Sequence, residues 1–197
     1  MNKPACSALV PNGHDGRVDK TELGRRVQDK CYLQGQFVLR SGQIADFYFD
    51  KYLFEGDPVL LKAVAEMAAP LVPAGTEVLA GLELGGVPLA TALSLVTGLP
   101  QVFVRKEAKA YGTAKLAEGP DIAGRQLLVV EDVVTTGGQV IKSTEDLRQR
   151  GAVVSSVLCA IDRRPAGPRP PDHLAGAGLS LIALFNLADL LASRATP

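Results

Sequence analysis

Apolar positions along the chain recur with two periods, and the switches between them mark its elements. From Asp19 the period is helical. Leu23, Val27 and Cys31 share one face, Asp19 and Glu22 have capping-box spacing, and Gly35 reads as the end of the helix. From Gln36 to Lys51 the period is two, with a turn at Ser41-Gly42, which predicts a hairpin or a pair of short strands. Phe47, Tyr48 and Phe49 follow one another there, so on a strand they face both ways; either simple packing or a ring lining a pocket accounts for them. Asp57-Pro58 opens a second helix, Asp as the cap and Pro at the first position, with Leu61, Val64, Ala65 and Ala68 as its apolar stripe.

Beyond it, strands and helices alternate. Val78 to Leu82 reads as a short buried strand, Glu83 to Gly86 as a tight turn, and Pro88 to Val96 as a helix closed by Gly98. Gln101 to Arg105 is the next strand, followed by a long polar loop without apolar period until Leu127, of the kind that serves as a lid. Leu127 to Val130 is a β-branched apolar run too short for a helix, hence a strand buried on both faces, and a helix follows from Gln139 to Arg150, stopped by Gly151. Val153 to Ile161 and Leu179 to Phe185 are further strands, separated by a Pro-rich loop from Pro165 to His173, and Leu187 to Arg194 is a short terminal helix. The alternation predicts an α/β protein with a mostly parallel central sheet flanked by helices. Three segments result: a mobile tail over 1–17, a helix and hairpin over 18–56, and a core over 57–197.

Composition narrows the class. Of 197 residues, 47% are hydrophobic, and 21 acids balance 21 bases, so the core is ample and no basic excess points to nucleic acid. The cysteines, Cys6, Cys31 and Cys159, are odd in number and without metal-ligand spacing, which suits a reducing cytoplasm. No stretch reaches the length of a membrane span, and Met1 to Pro11 lacks a signal-peptide layout, so a cytoplasmic protein is expected.

The chemistry concentrates after the central strand, in Val129-Val130-Glu131-Asp132-Val133-Val134-Thr135-Thr136-Gly137-Gly138-Gln139. Ligands of open α/β sheets sit at the carboxyl ends of the strands. There the Thr135 to Gln139 loop offers backbone N–H groups, two hydroxyls and a helix N-terminus to an anion such as a phosphate. The sequence has neither Gly-x-x-x-x-Gly-Lys-Ser/Thr nor a Gly-x-Gly-x-x-Gly after this strand, which excludes the triphosphatase loop and argues against a dinucleotide fold. Glu131 and Asp132, acceptors only when ionised, suit the vicinal hydroxyls of a sugar, so the ligand reads as a sugar 5-phosphate. Arg105, Lys106 and Lys109 form a cationic run that taken alone is a solvated loop; beside such a cradle it suits a pyrophosphate leaving group. Asp162-Arg163-Arg164 places guanidinium groups at another strand end, where they can grip a carboxylate.

This order of acids, hydroxyls and glycines resembles the signature of the type I phosphoribosyltransferases. Phe37-Val38-Leu39-Arg40-Ser41-Gly42, Phe103-Val104-Arg105-Lys106-Glu107-Ala108-Lys109 and Asp162-Arg163 are similar to the hood, the catalytic loop and the base site of the orotate phosphoribosyltransferase family, over roughly Leu23 to Leu190. The resemblance implies the type I fold with a small N-terminal hood. It implies transfer of the 5-phosphoribosyl group from 5-phosphoribosyl 1-pyrophosphate to orotate N1, giving orotidine 5'-phosphate in pyrimidine synthesis, with Mg2+ accompanying the donor. It also implies roles. Glu131 and Asp132 hold the ribose hydroxyls, and Val133, Val134, Thr135, Thr136, Gly137, Gly138 and Gln139 the 5-phosphate. Thr135 and Arg163 hold orotate, while Tyr48 and Phe49 line its pocket with Arg40 nearby. Lys106 acts on the donor of its own subunit, and Arg105 and Lys109 reach the neighbour's donor in a homodimer with shared sites. Tyr111 stands where many members have histidine, and Gly85 where some have lysine, so one contact there is a phenol and one ammonium is missing. The rivals are a transferase for another base and a non-catalytic sensor of the donor.

Overall fold

The structure is a computed structural model, and it describes residues 19–38, 42–107, 116–164, 172–187 and 190. It opens with helix α1 (Lys20–Cys31), whose cap is Asp19: the side chain accepts the Glu22 N–H at 2.8 Å. The helix ends at Cys31 rather than at Gly35, because strand β1 (Tyr32–Val38) begins at once. Gly35 instead lies within β1 at φ 147°, where the pairing with β2 (Ile44–Phe49) shifts register between Gln34 and Phe37. A glycine that reads as a helix stop is here a bulge in an antiparallel ribbon. A short turn, α2 (Tyr52–Glu55), leads into α3 (Pro58–Ala68), capped by Asp57 with Pro58 at its first position as expected.

The main sheet has the strand order β5-β4-β3-β6-β7-β8. Its members are β3 (Val78–Leu82), β4 (Gln101–Val104), β5 (Ala117–Glu118), β6 (Gln126–Val134), β7 (Val153–Asp162) and β8 (Ser180–Asn186). All pairs are parallel except the edge pair of β4 with β5. From β3 the chain moves outward to β4 on one side and then returns to β6 on the other. The crevice between the carboxyl ends of β3 and β6 is therefore a topological switch point, where ligands of such sheets bind.

Two buried clusters cover the sheet, as a parallel sheet requires. On one face Leu128 and Val130 of β6 pack with Leu23, Phe54, Val64 and with Leu89 and Leu93 of α4 (Gly86–Thr97). On the other, Leu127 and Val129 pack with Val140 and Leu147 of α5 (Gly138–Arg148) and with Leu174 of the four-residue α6 (His173–Gly176), an element the periodicity does not reveal. The stretch expected to be polar before Leu127 buries Leu116 and Ile122 and forms β5, since a sheet edge accepts two paired residues where no apolar period exists. The tail over 1–17 and all of the terminal helix Leu187 to Arg194 except Leu187 and Leu190 lie outside the described residues. Among the described residues, no helix is long and apolar enough to cross a membrane.

Candidate active site

β6 runs on to Val134, so Glu131 and Asp132 are inside the strand, not beyond it. Successive side chains alternate across the sheet, which puts Asp132 on the face of Leu128 and Val130 and Glu131 on that of Leu127 and Val129. The two acids accordingly differ. Asp132 is fully buried, and its Oδ2 forms an ion pair with the Lys51 ammonium, while its Oδ1 accepts the Val133 N–H at 2.6 Å. Glu131 is half-buried and its Oε1 accepts the Asp132 N–H at 3.1 Å.

The turn after β3 forms the opposite wall. It contains a cis peptide bond between Glu83 and Leu84. A Cβ placed on Gly86 would overlap the Val130 carbonyl oxygen, and one on Gly85 would overlap the Asp132 carboxylate and come within 3.0 Å of Glu55 Oε1. The missing side chains are what allow the two strand ends to close on each other. Glu55, at the end of α2, thus joins Glu131 and Asp132 in one acidic cluster.

Burial decides how that cluster is charged. It pushes the Glu131 carboxyl up to about 9, and hydrogen bonding with Asp132 adds to the effect. Burial, again with Asp132, also pushes Glu55 up to about 9, against the pull of Lys51. For Asp132 burial opposes ionisation, but hydrogen bonds from Glu131, Glu55 and the Lys51 ammonium outweigh it and hold the carboxyl below the ordinary carboxylate range. Near neutrality one carboxylate, Asp132, therefore faces one ammonium. Burial also works against the charge on Lys51, and the Asp132 contact more than restores it.

Next to the cluster is a cavity of ≈ 380 Å³, lined by Phe47, Tyr48, Phe49, Lys51, Tyr52, Val133, Thr135 and Arg163 among others. Its roof is the ribbon. Phe47 stacks on Tyr32 with ring centroids 5.3 Å apart on one face, and Tyr48 leans on Phe37 at 5.6 Å on the other. Arg163 is fixed by its backbone, whose N–H donates to the Val134 carbonyl at 2.8 Å, and its side chain reaches the cavity. Its neighbour Arg164 is engaged elsewhere, with Asp162 at 3.0 Å and Asp172 at 3.3 Å. Of the two guanidinium groups at the end of β7, Arg163 alone lines the cavity.

On the far side of the acids, Thr135, Thr136, Gly138 and Gln139 are exposed at the start of α5, whose first turn has no side-chain cap. Gly137 adopts φ 80°, and a Cβ there would stand 3.0 Å from Leu174, so two constraints select glycine at the bend. The uncapped N–H groups make this an anion-binding end. Arg105 and Lys106 follow directly on β4, the neighbour of β3 in the sheet. The Arg105 N–H donates to the Leu116 carbonyl at 2.9 Å and its Nε lies 3.6 Å from Glu118 Oε1, while the Lys106 N–H donates to Glu83 Oε2 at 3.3 Å. Arg40, Lys109 and Tyr111 lie outside the described residues.

The structure thus brings together Glu131, Asp132, Thr135 to Gln139, Tyr48, Phe49 and Arg163. Lys51 and Glu55 are additions that sequence reasoning missed. Their element is four residues long, too short to display a period, and the available signal was only a charged residue on either side of a buried aromatic, Phe54.

The phosphoribosyl transferase domain family matches residues 55–188. An orotate phosphoribosyltransferase of a Nocardioides species is 57% identical over 172 residues, which are 87% of this chain and 94% of that one. The crystal structure of Mycobacterium tuberculosis orotate phosphoribosyltransferase in complex with Fe(III) dicitrate has a TM-score of 0.74 at 31% identity, covering 87% of this chain and 98% of that chain. The same enzyme in complex with 5-phospho-alpha-D-ribosyl 1-diphosphate gives a TM-score of 0.72 at 26% identity over the same shares. With the acids of β6 at the switch point of a parallel sheet and this similarity spanning most of the chain, the protein belongs to the orotate phosphoribosyltransferases, within the phosphoribosyl transferase domain family.

Proposed function

We propose that the chain transfers the 5-phosphoribosyl group from 5-phosphoribosyl 1-pyrophosphate to orotate with the residues of this crevice, as a step of pyrimidine synthesis. Orotate N1 gives up its proton to water and forms a bond to the anomeric carbon, the bond from that carbon to the diphosphate oxygen breaks, and pyrophosphate leaves with the electron pair. Positive charge grows on the ribose and negative charge on the leaving group, so the work is positional and electrostatic. What supports the assignment most is one juxtaposition: buried acids at the end of β6, between an uncapped helix start and an aromatic cavity that contains Arg163.

In this reading Asp132 and Glu131 accept from the ribose hydroxyls, and Val133 to Gln139 receive the 5-phosphate. Tyr48 and Phe49 line the base site, with Arg40 nearby. Thr135 and Arg163 hold orotate, the guanidinium at its carboxylate. Lys106 serves the donor of its own subunit, whereas Arg105 and Lys109 serve a neighbour's in a homodimer. Tyr111 offers a phenolic hydrogen bond to the phosphates. Residues 57–197 would be the catalytic core, with 18–56 as the hood over the base site, and the protein would work in the cytoplasm.

Magnesium fits this site through the donor. The side chains on offer are oxygen ligands of carboxylate type, which a hard cation prefers, yet among the described residues no group of three or more of them is arranged to hold a metal ion. The ion would be held mainly by the donor's own oxygens, with Glu131 the half-buried acid at hand. When bound, it neutralises charge on the diphosphate.

The test is the ultraviolet absorbance of orotate mixed with protein, donor and magnesium, beside matched tubes with uracil or hypoxanthine. Donor-dependent loss of the orotate signal is expected, with Asp132→Asn or Lys109→Ala reducing the rate about 100-fold or more. Turnover of uracil or hypoxanthine in place of orotate refutes the base assignment. Donor binding without turnover of any base identifies a sensor.

A further inference from the structure

Lys51 stands at the seam where the ribbon ends and the core begins. Asp50 precedes it, with its N–H donating to the Cys31 carbonyl at 2.8 Å and its carboxylate accepting the Tyr52 N–H at 3.1 Å, so the backbone on both sides of Lys51 is tied down. The Lys51 side chain is 31% exposed; its Nζ meets Asp132 Oδ2 and sits 5.2 Å from the centroid of the Tyr52 ring. It also lines the cavity shared by Tyr48, Phe49, Thr135 and Arg163.

The Asp132 carboxylate is held from several sides, by Glu131 and Glu55 as well as by the two groups that fix its oxygens. The Val133 N–H fixes Oδ1 from the strand itself, and Lys51 fixes Oδ2 from outside it. Gly85 offers no side chain on the third side, where any Cβ would occupy the carboxylate's place. Among the described residues, Lys51 is the one cation paired with this acid. A buried carboxylate whose cation is removed is left uncompensated, with only the neutral Glu55 and Glu131 carboxyls beside it. A small misplacement of such a group is expensive, because hydrogen bonds to a sugar depend on orientation.

We propose that Lys51 is a positioning residue: it clamps the Asp132 carboxylate in the orientation that receives the ribose of the donor. This deepens the transferase reading and rests on it. The contribution acts on donor binding, since Asp132 and not the base is what Lys51 holds.

The experiment compares wild type, Lys51→Met and Lys51→Arg by steady-state kinetics and by calorimetric titration of donor with magnesium. For Lys51→Met, donor KM and donor dissociation constant rise about 10-fold or more, with a smaller loss in kcat, and orotate KM at saturating donor stays within about threefold of wild type. Lys51→Arg restores donor affinity to within about threefold, because a guanidinium can replace the ammonium at a carboxylate. Thermal melting accompanies each variant. The inference is overturned if Lys51→Met leaves donor affinity unchanged, if the loss falls on orotate, if arginine rescues no better than methionine, or if donor and orotate weaken together with the melting temperature. Were the wild type to turn over no orotate, the transferase reading would fail, while donor calorimetry on the same variants would still decide the clamp.

Discussion

The ribbon and the central strands are both β-structure, yet they are held for different reasons. Along β6 the residues from Leu127 to Val130 are all buried, whereas β2 contains no buried residue at all. β6 draws its stability from side chains packed on both faces and from hydrogen bonds to β3 and β7. β2 pairs with β1 alone, and a two-stranded ribbon is marginal by itself. It leaves aromatic surface uncovered, Phe47 at 49% and Tyr48 at 45% exposure, which is what a flat ligand requires. The packed sheet holds the acids between its neighbours, and the ribbon leaves its rings exposed.

That contrast can be broken most forcefully from the core side. Leu128→Ala removes a fully buried side chain from the middle of β6 and is expected to cost about 3 kcal/mol in chemical denaturation, with the ribbon's aromatics untouched. A loss under about 1 kcal/mol would mean that β6 is not the structural centre. The seam between the two regions gives the next effect. Glu55 and Glu131 release their protons near pH 9 when folded, against about 4.5 in a free carboxyl. Between those values the unfolded chain has lost protons that the native protein keeps. The contribution of these two acids is therefore full below about pH 4.5 and falls as pH rises toward about 9. Denaturation of the ligand-free protein at several pH values should show this decline, and Glu55→Gln should flatten it; an equal slope in the variant would remove Glu55 from the cause. Smallest in stability is Tyr48→Ala. Its ring is nearly half exposed, so unfolding free energy should change by under about 1 kcal/mol, while orotate KM rises about 10-fold from lost stacking. A large drop in stability there would erase the distinction between the regions.

The same contrast explains what could be read without coordinates. β3 falls on Val78 to Leu82 as expected, and α3 starts at Asp57-Pro58, because continuous apolar runs and capping residues are local signals. The acids, hydroxyls and glycines from Glu131 to Gln139 were legible for the same reason: they are contiguous. Gly35 misled because a glycine after a helical stripe suits a helix end and a bulge equally well, and only pairing with β2 separates the two. Lys51 and Glu55 were hidden because their importance comes from Asp132, far away in sequence and brought near by the sheet. The difference between Glu131 and Asp132 was hidden likewise, since it depends on which face of β6 meets α2.

Gly85 and Gly86 bear on how such a protein can diversify. A side chain at either position collides with groups that are themselves fixed, the Val130 carbonyl and the Asp132 carboxylate. A single substitution at either position therefore has to move the end of β6 or its acid. The exposed ribbon residues Phe47 and Tyr48 meet no such restriction. Change at the two strand ends is thus tied to the buried acid, whereas change at the exposed rings of the ribbon is not.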